Sequence, residues 1–374
     1  MNHKISFLPI IIFLLLTSCG AKDPSEAIFT FIDITEPISV HTDSQKAYLS
    51  DEYKNILKYA NNDGEKSYPE AVHLSWNVNS NTKAVPKSYS INVWEKDDSE
   101  HKWEFTSQSN NFDLFNVKLN QCYEYKVTAH YKNIEFNSDV HSFTTDDCAP
   151  RNLRISGATN VRDLYGIGDI KQNRIFRSGE FNDGDSESFK LNLDDEGLYS
   201  LNTQLGIKTE IDVRKDSETG GQSLCAFNES ANYYHIPMAY QGPSQVMNYK
   251  QDGLDNASAI KDFFEVLSDS ENYPIVYHCT FGRDRTGFLS YLIEALCGGS
   301  EDELMRDYLF TDFADVTPVM VSTISGTAAY PSVINKYEGE TLKDRVISYL
   351  ISSESKCPNI SIDTLNSVIA NLCN

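Results

Sequence analysis

Basic residues are scarce in this chain. Lys and Arg number 32 against 54 Asp and Glu over 374 residues, a net charge of −22. So acidic a surface repels polyanions, which argues against nucleic acids and anionic membrane surfaces as partners. Long apolar runs are also missing. The one candidate, Ile5 to Leu16, has twelve residues, too few to span a bilayer as an ordinary helix. His73, His101, His130, His141, His235 and His278 are scattered without ligand-like pairing, so neither a metal site nor a cofactor is expected. There are no internal repeats and no low-complexity tract.

Lys4 gives the apolar run a positive start, and Leu16-Thr17-Ser18-Cys19 follows it. This resembles the bacterial lipoprotein box, which implies a signal peptide over residues 1–18 and acyl chains on Cys19. Two or more chains make a stable anchor where one would be marginal. The expectation is an extracytoplasmic lipoprotein of the cell membrane or outer membrane; the alternative is a plain secretory peptide with an incidental cysteine. With Cys19 set aside, the other cysteines are Cys122, Cys148, Cys225, Cys279, Cys297, Cys357 and Cys373. In an oxidising compartment some of these pair.

Residues 19–69 are polar and read as a tether or cap, with a helix expected over Ser50–Asn61. Residues 70–147 alternate apolar and polar in short runs: Val72-His73-Leu74-Ser75-Trp76, Tyr89-Ser90-Ile91-Asn92-Val93-Trp94 and Tyr123-Glu124-Tyr125-Lys126-Val127-Thr128-Ala129. Turn-rich gaps between them predict an antiparallel β-sandwich. Leu74-x-Trp76 and Tyr123-x-Tyr125-x-Val127 resemble a fibronectin type III module, with Tyr123 as its corner tyrosine. The resemblance implies a spacer or a binding module. Cys122–Tyr131 and Phe136–Thr145 read as two strands around a short turn, a register that brings Cys122 near Cys148 and predicts a disulfide between them.

From residue 151 onward the pattern changes. Thr209–Val213 and Tyr233–Pro237 read as strands, Glu196–Leu205 and Asp255–Leu267 as helices. Alternating strands and helices predict an α/β layer with a mostly parallel sheet flanked by helices, over residues 151–374. Ligands of such sheets bind beyond the carboxyl ends of the strands.

One segment carries chemistry. Pro274–Tyr277 leads into His278-Cys279-Thr280-Phe281-Gly282-Arg283-Asp284-Arg285-Thr286-Gly287, and Phe288–Leu296 leads out. It reads as strand, tight loop and helix. Such a loop aims backbone N–H groups at a common centre, where they bind phosphate and favour a thiolate. Arg285 offers two parallel donors to phosphoryl oxygens, a match that lysine cannot make. Gly282 permits the tight fold, and the Thr286 hydroxyl can donate to the sulfur. Arg283 adds charge.

These residues resemble the signature of the protein tyrosine phosphatase superfamily: His-Cys, five residues, Arg, then Ser or Thr. The ending Gly282-Arg283-Asp284-Arg285-Thr286-Gly287 is similar to that of its bacterial tyrosine, dual-specificity and phosphoinositide branch, with Arg283 for the usual lysine and Phe281 for a small residue. Upstream, Asn160-Val161-Arg162-Asp163-Leu164, Arg177-Ser178-Gly179 and Leu205-Gly206-Ile207 with Asp212-Val213-Arg214 fit the same branch, as does Asp307-Tyr308-Leu309 downstream. The resemblance implies Cys279 as nucleophile, Arg285 as phosphate clamp, and Thr280, Phe281, Gly282, Arg283 and Thr286 as substrate-binding positions. It places Arg162 and Asp163 in the site lining. No Trp-Pro-Asp tripeptide is present to supply the general acid. Asp284 is the candidate, with Asp252 and Asp255 as alternatives that could equally cap a helix.

The implied reaction has two steps. Cys279 attacks phosphorus to form a phosphocysteine, and water then hydrolyses it. Candidate substrates are phosphotyrosine proteins, phosphoinositides and inositol phosphates, and the paired charges of Arg283 and Arg285 lean toward the multiply phosphorylated ones. The competing reading is a surface interaction protein whose phosphate-binding domain is catalytically inactive.

Overall fold

The computed structural model describes residues 22–51, 56–60, 69–182, 192–240, 250–251, 253–314 and 329–374. The N-terminal half holds strands β1 (Ala27–Phe31), β2 (Val72–Ser80), β3 (Ser88–Glu95), β4 (Asp98–Ser107), β5 (Asn111–Leu114), β6 (Cys122–His130), β7 (Glu135–Asn137) and β8 (His141–Thr144). They form two antiparallel sheets, β1-β2-β5 and β4-β3-β6 with β7 and β8 both paired to β6. Strict alternation on β6 sends Tyr123, Tyr125, Val127 and Ala129 inward, against Leu74 and Trp76 of the facing sheet and beside Ile91 of β3. The expected sandwich is there, and it recruits β1 from the segment ahead of residue 70.

The rest of that segment is a cap on the C-terminal half. Helix α1 (Asp43–Leu49) starts in a Thr42/Gln45 capping box, and α2 (Ile56–Tyr59) follows; helix thus begins earlier than the expected Ser50–Asn61. Tyr48 is fully buried against Phe310 and Phe313, and its hydroxyl donates to the Arg306 carbonyl at 3.1 Å. A cleft of about 650 Å³ opens where the sandwich meets residues 196–204, walled by Phe105, Phe112 and Tyr199, with no cysteine in its lining.

The Cys122–Cys148 disulfide is not formed; both residues are free thiols. Cys122 is registered with Thr144, so continued pairing would set Cys148 opposite residue 118. Asn120 N–H still donates to Asp146 O at 2.8 Å in that register, but Asp146 N–H turns to Ile38 O at 2.9 Å.

The C-terminal half adds β9 (Arg151–Asn152), β10 (Arg162–Asp163), β11 (Ile175–Ser178), β12 (Thr209–Asp212), β13 (Asn232–His235), a small hairpin β14 (Lys250–Gln251) and β15 (Leu254–Asp255), and β16 (Ile275–His278). Its sheet runs β13-β12-β16-β11-β10-β9, with β13, β12, β16 and β11 parallel and the last two antiparallel at one edge. Around it lie α3 (Asp195–Tyr199), α4 (Asn256–Ser268), α5 (Asp284–Leu296), α6 (Glu301–Phe310), α7 (Leu342–Ile351) and α8 (Ile362–Cys373). Every residue of β16 is buried, as a central parallel strand requires. Every residue of α5 is buried as well. Phe288, Leu289, Leu292, Ile293 and Leu296 are each removed from water, worth about 1.5–3 kcal/mol apiece. This packing holds the strand–loop–helix segment rigid.

Candidate active site

Cys279 follows β16 directly and sits at the floor of a pocket of about 170 Å³. Thr280, Phe281, Asp284, Arg285, Glu218 and Tyr240 complete its lining. The loop's shape follows from where its carbonyls go. Thr280 O accepts from Glu180 N–H at 3.1 Å. Phe281 O and Gly282 O each accept from Asn160 Nδ2 at 3.0 Å, and Gly282 O also accepts from Arg177 Nη2 at 2.8 Å. In a trans peptide the carbonyl and the next N–H point oppositely. Three carbonyls drawn outward therefore turn the N–H groups of residues 281, 282 and 283 inward. Gly282 is obligatory here: its φ is +65°, and a Cβ would lie 2.4 Å from Ser178 O.

Helix α5 continues the cradle. Its N-cap, Arg283, makes no side-chain cap hydrogen bond. The N-caps of α1, α3, α4, α6, α7 and α8 (Thr42, Asp194, Asp255, Ser300, Thr341 and Ser361) all accept from a backbone N–H. Among these helices, the one aimed at Cys279 is thus the one whose first-turn N–H groups are left for an anion.

Arg285 is 3% exposed. Its Nη1 and Nη2 donate to Glu218 Oε2 and Oε1 at 2.5 and 3.2 Å, and Tyr240 lies 5.4 Å below the guanidinium. Burial pushes the Glu218 carboxyl up, but Arg285 outweighs it and the net shift is downward. Asp284 is gripped by three donors: Tyr240 OH to Oδ2 at 2.9 Å, Arg283 Nε to Oδ2 at 3.2 Å, and Tyr308 OH to Oδ1 at 3.3 Å. His278 turns away from the pocket, its Nε2 bonded to Glu210 Oε1 at 2.9 Å. Beside it, burial pushes the Asp212 carboxyl up, yet the His278 ring and Arg214 bring it down to about 2.

Several expected site residues hold other posts. Arg162 is buried and does not line the pocket. Its guanidinium binds Asp307 Oδ1 at 2.6 Å, Asp307 O at 2.8 Å and the Asn160 amide oxygen, so it braces the residue that braces the loop. Asp163 faces the other way. It takes Arg151 Nη1 at 3.1 Å, while Arg151 also donates to Asn116 O and Val117 O of the sandwich. Asp163 is an anchor between the two halves, and burial drives its carboxyl upward. Arg283 is 4% exposed and is spent on Asp284 and the Phe281 ring instead of on the pocket. Thr286 is buried behind the pocket, its hydroxyl without a partner among the described residues. Of the alternative acids, Asp255 caps α4 and pairs with Lys250, and Asp252 lies outside the described residues.

A model of the tyrosine phosphatase family matches residues 153–367. The chain belongs to that family. A tyrosine-protein phosphatase of Nostoc commune is 26% identical over 117 residues, 28% of this chain and 40% of the relative. A Cupriavidus necator protein bearing the tyrosine-protein phosphatase name is 23% identical over 208 residues, 49% of this chain and 71% of the relative. The match thus spans well under half the length of the first. Among solved structures, the core catalytic domain of the PP-IP phosphatase SIW14 from S. cerevisiae, in complex with citrate, is similar at 16% identity and TM-score 0.29, covering 45% of this chain and 86% of that one. The family match encloses the phosphate loop, the braces Asn160, Arg162, Arg177 and Asp307, and two further residues beside the loop. Glu218 holds Arg285, and Tyr240 reaches both Arg285 and Asp284. Tyr240 had a usable signal: it lies just past the carboxyl end of β13, where parallel sheets place ligand contacts.

Proposed function

We propose that this chain hydrolyses phosphate monoesters through a phosphocysteine on Cys279, and that singly phosphorylated aryl esters such as phosphotyrosine suit it best. The observation that carries the reaction is the convergence on Cys279 of an uncapped helix start, three inward N–H groups and Arg285. These donors hold the equatorial oxygens as charge spreads over them in an in-line displacement. The substrate preference rests on charge and walls. Arg285 pairs with Glu218 and Arg283 Nε with Asp284, and among the described residues that line the pocket Arg285 is the single cation, enough for one phosphate. Tyr240 and Phe281 offer aromatic faces to the ester group. Lys215 is outside the lining, its ammonium donating to Tyr240 O at 3.5 Å.

Asp284 is the group placed to protonate the leaving oxygen, with Tyr240 orienting it. Asp284→Asn is expected to cut kcat on alkyl phosphates by about 10²–10³-fold and to change p-nitrophenyl phosphate turnover far less, since that leaving group needs no proton. Equal losses on both would remove Asp284 from the acid role. A panel of phosphotyrosine peptide, phosphatidylinositol phosphates and inositol hexakisphosphate tests the preference. Faster turnover of the multiply phosphorylated compounds would overturn the substrate assignment and leave the hydrolysis standing.

The sandwich is proposed as a fibronectin type III-like spacer. In support, buried Tyr123 accepts a hydrogen bond from Lys118 N–H, five residues upstream, at 2.8 Å, as a corner tyrosine ties its strand to the preceding turn. Cys19 lies outside the described residues. Among those described, no helix is long and apolar enough to cross a membrane. The lipid anchor is a proposal from the sequence: the wild type should incorporate labelled palmitate in bacteria, and label persisting in Cys19→Ala would refute it.

A further inference from the structure

Two thiols far from the pocket meet where the last turns of α5 and α8 converge. Cys297 is the C-cap of α5 and is buried; Cys373 is the last residue of α8 and is partly exposed. Residues 169–174 tie both ends down. Asp169 N–H donates to Cys297 O at 3.0 Å, and Lys171 N–H donates to Leu372 O at 2.9 Å. Arg174 Nη2 adds a bond to the main-chain oxygen of Asn374 at 3.2 Å. Both cysteines belong to the same apolar cluster, beside Tyr273, and their sulfurs are in hydrogen-bond contact. Of the other described thiols, Cys357 meets Tyr337 OH at 3.1 Å, Cys225 sits beside Glu210, Cys279 is in the pocket, and Cys122 and Cys148 belong to the sandwich end of the chain.

We propose that Cys297 and Cys373 form a thiol–disulfide exchange site whose oxidised state is an intramolecular bond joining α5 to α8. The two sulfurs are not equivalent. Cys373 is held below its ordinary value by the hydrogen bond from Cys297, whereas Cys297 is pushed up by that same contact and by burial. Cys373 is therefore the entering nucleophile, both exposed and the more readily ionised. Its thiolate attacks one sulfur of a small-molecule or protein disulfide, forms a mixed disulfide and expels one thiolate. Cys297 then loses its proton to solvent, attacks the Cys373 sulfur and expels the second thiolate. The two cysteines are oxidised together by two electrons and the incoming disulfide is reduced to two thiols. The bond closes the chain between residues 297 and 373, a long loop whose unfolded entropy it restricts. It also fixes the far end of the helix that begins at the phosphate loop.

The full chain is incubated with oxidised glutathione, alkylated and digested without reductant. The expected product is a Cys297–Cys373 linked peptide pair. In Cys297→Ala the glutathione adduct should stay on Cys373, with no link. Oxidised wild type should melt about 5 °C above reduced wild type, with no such shift in Cys373→Ser, a change at a partly exposed helix end that leaves the fold intact. Glutathione retained on Cys373 in wild type without a link, a bond from Cys373 to Cys357, or a melting shift that survives Cys373→Ser would each overturn the proposal.

Discussion

Cys279→Ser is expected to lower turnover of p-nitrophenyl phosphate by on the order of 10⁴-fold or more while phosphate still binds. The argument separates two roles of the loop. Binding is done by the inward N–H groups, the free first turn of α5 and Arg285, none of which involves the sulfur. Bond formation to phosphorus needs an anionic nucleophile, and a serine hydroxyl in the same place lacks an adjacent base. His278 is not placed to serve as one, because it does not line the pocket and its Nε2 bonds Glu210 of the neighbouring β12. Inorganic phosphate titrated by calorimetry should therefore bind wild type and Cys279→Ser within a few-fold of each other. Residual turnover within tenfold of wild type would show that the nucleophile lies elsewhere. Loss of phosphate binding along with turnover would show that the substitution had disturbed the loop, and Cys279→Ala would then be the cleaner comparison.

The second large effect is on stability. Asp307 projects from α6 into the space between Arg162 and Arg177, both fully buried, and bonds to each. Burial pushes its carboxyl up, and the two guanidinium groups bring it down below its ordinary value. Glu294 of α5 reaches the same cluster and is driven well upward by burial and by Asp307. Asp307→Ala would leave two buried cations facing each other. Removal of one partner from such a cluster costs about 3–5 kcal/mol, which urea denaturation should report as a large drop in midpoint. Arg177 holds Gly282 O and Arg162 holds Asn160, so folded Asp307→Ala should also lose turnover through the loop. Asp307→Asn keeps the shape and part of the hydrogen bonding, and should fall between. A loss under about 1 kcal/mol in Asp307→Ala would mean the arginines find other partners, and the bracing account would fail.

How much of this could be read in advance differed from residue to residue. Strand, loop and helix around Cys279 were legible because the apolar runs on either side leave little choice: β16 and α5 are wholly buried, as their composition requires. The sandwich was legible for the converse reason, since alternation on β6 puts every second residue inside. Arg162 and Asp163 were not. Adjacent residues on β10 point to opposite faces, so one braces the loop and the other the sandwich, and a motif quoted as a unit hides that split. Arg283 was misjudged because charge in a sequence carries no direction. Its Nε is taken by Asp284 one residue on, and Arg283 does not line the pocket. The Cys122–Cys148 bridge was misjudged for a similar reason: hairpin arithmetic assumes that the ladder continues, and Ile38 takes its place.

The order of residues along the chain determined that Cys279 and Arg285, with five residues between them, would share one pocket, because a tight turn and the first residues of a helix keep them close. Only tertiary structure decided what surrounds them. Glu218, Tyr240, Asn160, Arg177 and Asp307 come from separate segments of the chain, and Cys297 of α5 reaches Cys373 of α8. Such contacts depend on how buried faces stack, and neighbours along the chain do not encode that.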